Sequence, residues 1–212
     1  MWPTILVVAC VYVPLGTLLV VVKVVGRDHH ASVLIDPHYS PSESLTHGSL
    51  WVLGLAGWSW AVLMCVVGVI GAARRRSLRP MGRLLAGAGL LTLVMLLDDL
   101  LQLHKPVIPD ATGLPSIAVL AAYALAFVAW VVVNRRAIVD SDVGVLIVAI
   151  AFFALWILVK LGPHTEMKTA VEAGAKLCGI AGWAAYVTLT AWRTRASSRN
   201  RGPGPATVGE NA

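Results

Sequence analysis

The sequence predicts an all-α fold, an integral membrane bundle of six transmembrane helices with both termini cytoplasmic. Three observations lead there. Of the 212 residues, 58% are hydrophobic and only 13% are charged, against about a quarter charged in soluble domains. The mean hydropathy is +0.77. The apolar residues also gather into runs of the roughly 20 residues that cross a bilayer, separated by short polar links.

Taken in order, the spans run about Pro3 to Val25, Gly48 to Ala73, Gly82 to Leu103, Ser116 to Asn134, Val143 to Lys160 and Ala170 to Trp192. The first has Val7-Val8-Ala9-Cys10, similar to a lipoprotein cleavage box. It lacks a basic start and an apolar run before the cysteine, so it reads as a retained helix. Residues 193–212, rich in Ser, Gly, Pro and Arg with no apolar period, read as a disordered tail. Together these make one domain, 1–192, followed by the tail.

Arginines set the orientation. Arg74, Arg75, Arg76, Arg79 and Arg83 lie between the second and third spans, Arg135 and Arg136 between the fourth and fifth, and Arg193, Arg195, Arg199 and Arg201 after the sixth. All fall on one side, which the positive-inside rule makes the cytoplasm of a bacterial-type plasma membrane. The formal charge of +6 is thereby a topology signal and speaks against nucleic acid as a partner. The bilayer is the partner that the composition implies, with anionic lipid contact at the arginine clusters. Cys10, Cys65 and Cys178 fall within spans with no metal or disulfide spacing and read as core residues. Trp2, Trp51 and Trp192, near span ends, suit interfacial anchoring.

The opposite side collects the remaining chemistry. All six histidines fall there, four of them in the loop after the first span: His29, His30, His38 and His47. The third span ends in LLTLVMLLDDLLQLH, carrying Asp98, Asp99, Gln102 and His104. The fifth and sixth bring Lys160, His164, Glu166, Glu172 and Lys176. A charge in hydrocarbon is costly, so intramembrane acids mark a site or a paired partner. Successive helical residues turn by about 100°, so Asp98 and Asp99 address different neighbours. Glu172 and Lys176, spaced i, i+4, suit an ion pair on one helix. Gly174, Gly179 and Gly182 on the sixth span, and Gly82, Ala86 and Gly89 on the third, form small-residue faces suited to close packing. Packing those two spans together would bring an aspartate to Lys176.

Two readings of this cluster differ in class. In the first it is a polar network that holds the bundle together or receives a partner, the aspartates bonding to Lys176, Lys160, Trp side chains or loop amides. In the second, Asp98 or Asp99 with His104 and His164, and His47 nearby, bind a divalent metal such as zinc with an open position for water. Glu172 would then be the general base and Lys176 would steady developing negative charge, making a hydrolase for a lipid or lipid-linked substrate at the outer leaflet.

The motifs DDLLQLH and EAGAKLCGIAGWAAY resemble those of a group of uncharacterised bacterial multi-pass membrane proteins. These carry Asp-Asp-x-x-x-x-His-Glu and, later, Glu-Glu-x-x-x-Lys-x-x-Gly. Asp98, Asp99 and His104 match the first pattern, and Glu172, Lys176 and Gly179 the second. Lys105 and Val171 depart from it where the group has Glu. The resemblance covers about 25 residues and implies a membrane protein without a stated activity. The metal reading also resembles the ceramidase-like membrane hydrolases in drawing Asp and His from several helices. The His-x-x-x-His pair of their last helix is absent.

Overall fold

The computed structural model describes residues 5, 9–14, 16–17, 44–73, 75–101, 103, 107–162 and 168–200, with side chains at all of these except 44–51, 168–170, 199 and 200. Every regular element among them is helical. Helical residues 9–14 form α1. There follow α2 (Ser44–Ala73), α3 (Arg79–Leu101), the five-residue α4 (Ile108–Thr112), α5 (Ser116–Val139), α6 (Val143–Leu161) and α7 (Lys168–Asn200).

The links are built from residues that stop helices. After α2 the chain turns extended at Arg75, makes one 3-10 turn at Arg76–Leu78, and enters α3 with Pro80 in the first turn, where a missing N–H costs nothing. Helix α4 closes on Gly113 at φ +71°, its N–H bonded to the Pro109 carbonyl at 2.8 Å. That left-handed geometry suits glycine. Pro115, extended, then launches α5. Between α5 and α6 only Asp140, Ser141 and Asp142 intervene.

Helix α7 is the axis of the packing. It lies against α2 and α6 along much of its length, α3 packs on α2, and α5 flanks α3. Its inward residues Ile180, Trp183, Tyr186, Val187 and Ala191 recur at helical spacing and are almost fully buried. Trp58, Ala61 and Cys65 of α2, Leu84, Leu85 and Ala88 of α3, and Val145, Leu146 and Ala149 of α6 meet the same core. Indole N–H groups inside it find acceptors, as they must in an apolar interior. Trp183 donates to Thr92 Oγ1 at 2.8 Å, and Trp130 donates to the Leu84 carbonyl at 3.1 Å.

The outer surface is apolar to a degree that water would not tolerate. Val133 is 80% exposed, and Val139, Leu125 and Leu158 are exposed almost as fully. Among the described residues four stretches are long and apolar enough to cross a membrane: Val52–Ala73, Arg76–Leu101, Ser116–Val139 and Val143–Leu161. Helix α7 is not one of them. Many of its residues are buried against other helices, and it carries Gly, Ala, Thr and Tyr there in place of long aliphatic chains.

Three sequence expectations change. The glycine faces of α3 and α7 do not meet each other. Gly179 and Gly182 admit Phe153 and Ala149 of α6, while Gly82 and Gly89 admit Ala72 and Cys65 of α2. Residues 193–200, assigned to the disordered tail, continue α7. They are held there by an Arg193–Asp142 ion pair of 2.8 Å and by buried Thr194, whose hydroxyl donates to the Thr190 carbonyl. Cys65 and Cys178 are core residues as expected, whereas Cys10 is exposed. Trp192 is exposed, in keeping with an interfacial position.

Candidate functional site

Asp98 and Asp99 sit in the last turns of α3, and the 100° between them sends them to different helices. Asp98, 4% exposed, accepts the Tyr123 hydroxyl of α5 at Oδ1, 3.1 Å away. Asp99 accepts the Trp58 indole N–H of α2 at Oδ2, 2.8 Å away, and the Lys176 ammonium of α7 at Oδ1, 2.5 Å away. One carboxylate therefore ties α3 to two other helices. With side-chain exposures of 28% for Lys176 and 10% for Asp99, the pair is shielded from bulk solvent, which strengthens its attraction and raises the cost of separating it.

Trp156 of α6 completes the cluster. Lys176 and Lys160 each place their Nζ 5.5 Å from its ring centroid, within cation–π range. Lys160 also lies in the last turn of α6, where a cation meets the negative end of the helix dipole. Two ammonium groups thus share one indole, and one of them also pairs with Asp99. Trp58, meanwhile, stacks on Phe153 at 5.9 Å, which fixes the ring that donates to Asp99.

Of the two aspartates it is Asp99 that meets Lys176, while Asp98 turns to Tyr123. Glu172, one turn before Lys176 and partly exposed, is not its ion-pair partner among the described residues, because Lys176 turns to Asp99 instead. His104 and His164 lie outside the described residues, as does the side chain of His47. Among the described residues no three His, Cys, Asp or Glu side chains form a metal-holding group. Tyr123 and Trp156 are members that sequence reading passed over. The available signal was polarity, since Tyr123 is a hydroxyl-bearing residue within the apolar α5 and needs a partner there.

At the other end of the bundle the Arg193–Asp142 pair joins α7 to the α5–α6 link, and Arg195 lies beside Gly71 near the end of α2. The arginine-bearing links therefore share one end and the carboxylate–lysine cluster lies toward the other.

These features define an α-helical membrane protein with an ion-paired polar cluster near one end of its helices. The chain belongs to the DUF8692 family, a domain of unknown function, whose family model matches residues 4–190. No match to the chain was found among curated proteins or among solved structures.

Proposed function

We propose that this is a multi-pass protein of the bacterial-type cytoplasmic membrane, with six spans and both termini cytoplasmic, in which Asp98, Asp99 and Lys176 form an exoplasmic-end latch. The latch holds α2, α3, α5 and α7 in register. The observation that carries this reading is the double engagement of Asp99, whose Oδ2 accepts from Trp58 on α2 and whose Oδ1 accepts from Lys176 on α7. A carboxylate so engaged is a cross-brace.

The orientation rests on the arginines that gather at the opposite end. The first span is supported by Tyr12 of α1, which donates to the Cys178 carbonyl at 3.2 Å and stacks on Phe152 at 5.0 Å.

A double-mutant cycle tests the latch. In reversible unfolding from mixed micelles, Asp99→Asn and Lys176→Met each lower stability by about 1–2 kcal/mol, since either leaves a shielded charge alone. The double variant loses clearly less than the sum. Elemental analysis of the purified wild type runs beside it. Additive losses, or a stoichiometric divalent ion that disappears with Asp99→Asn, would overturn the reading.

A further inference from the structure

One stripe of α3 combines charge with an apolar channel. Arg79, Arg83, Ala86, Leu90 and Leu93 follow the i, i+4, i+7, i+11, i+14 spacing that keeps residues on one helix face. Facing them on α2 are Val62, Val66, Val69 and Ala73, spaced i, i+4, i+7, i+11. The two faces leave open hollows of 350 and 440 Å³ that share Val69 and Ala86 and so form one groove. The hollow nearer the α2–α3 link is lined by Arg79 and Arg83, and the other is lined only by apolar residues, Cys65 and Gly89. Small side chains make the depth: Gly82 lies against Ala72, and Gly89 against Cys65.

Dimensions and charge fit one occupant. From Arg83 to Leu93 the helix rises about 15 Å, which is half the roughly 30 Å hydrocarbon core and therefore one leaflet. Both arginine side chains are exposed, and neither meets a carboxylate among the described residues. They flank the start of α3, where the helix dipole adds positive potential. Two guanidiniums one turn apart suit a phosphate at headgroup depth, and the apolar groove suits the chain that hangs from it. We propose that the α2–α3 groove is a binding site for one anionic phospholipid of the leaflet at the arginine-rich end. Its phosphate sits between Arg79 and Arg83, and an acyl chain lies along Ala86, Leu90 and Leu93.

The test is native mass spectrometry of the full chain in detergent, titrated with phosphatidylglycerol and, separately, with phosphatidylcholine of the same acyl composition. Wild type retains one phosphatidylglycerol in preference to phosphatidylcholine. Arg79→Gln with Arg83→Gln weakens that retention by roughly 30-fold, as two basic contacts are lost. Arg135→Gln with Arg136→Gln removes the same charge from α5 and leaves it unchanged. Ala86→Trp fills the groove without altering charge and abolishes the bound lipid, so the acyl half of the site is tested even if the double arginine variant fails to fold. Equal loss in both arginine pairs, or retention of the lipid by Ala86→Trp, would overturn the proposal.

Discussion

Asp142 shows what an ion pair costs when it is only half made. It is buried at 7% exposure, one oxygen meets Arg193, and Oδ2 has no hydrogen-bond partner among the described residues. Arg193 itself is half exposed, so part of its charge is screened by solvent. Arg193→Ala leaves the carboxylate buried without compensation and lowers stability by about 2 kcal/mol. Adding Asp142→Asn removes the charge and returns most of that loss. Thermal unfolding of the two variants checks both statements, and an Arg193→Ala variant as stable as wild type would sink the first. The Asp99–Lys176 contact was legible in the sequence to the extent that two adjacent helical carboxylates need separate partners. Tyr123 and Trp58 were less so, because an aromatic residue inside an apolar span reads as core until a neighbouring helix brings an acceptor to its polar edge. Asp142 was passed over for a related reason. In sequence it is one more polar residue in a turn, and only the continuation of α7 past Trp192 delivers Arg193 to it.

Between helices the small residues decide how closely backbones approach, and they differ in what they face. A Cβ at Gly68 would fall 3.0 Å from Ala191 Cβ and 3.2 Å from its Cα, besides crowding the Leu85 side chain. At Gly54 the nearest atom would be Ile180 Cδ1 at 3.5 Å, an ordinary contact. Gly68→Ala therefore pushes α2 off α7 and costs about 1–3 kcal/mol as overpacking. Gly54→Ala is neutral or gains from the higher helix propensity of alanine, up to about 1 kcal/mol. Unfolding midpoints of the two variants in the same detergent give the comparison, and equal midpoints would show that the α2–α7 seam is slack. The glycine faces were visible in the sequence, but their partners were not. A small-residue stripe specifies that something packs closely and carries no identity for it. The sequence reading paired the third span with the sixth, whereas the side chains fitting the grooves come from α6 and α2. The Asp99–Lys176 contact arises regardless, because α3 and α7 both pack on α2 and Lys176 is long enough to reach across.

For the molecule as a whole, charge is distributed along the helix axes. The carboxylate–lysine cluster lies toward one end, and the arginine-bearing links share the other. This polarity was the most legible feature of the sequence because it depends on which links carry arginine, independent of how the helices rotate or pair. The central position of α7 was not legible. It is among the less apolar helices, and it belongs inside because its neighbours shield it, a fact of assembly that no single segment carries. The proposed orientation follows from the polarity and makes an accessible prediction. Ser77, in the 3-10 turn before α3, and Asp110, in α4 beyond the far end of α3, are both exposed. With Cys10, Cys65 and Cys178 replaced by alanine, single Ser77→Cys and Asp110→Cys variants are treated on intact cells with a membrane-impermeant maleimide. Asp110→Cys is modified in intact cells. Ser77→Cys is modified only after the membrane is permeabilised, because the arginine-rich link holds it on the cytoplasmic side. The reverse pattern would invert the topology, and modification of both sites in intact cells would mean that α3 does not cross the bilayer.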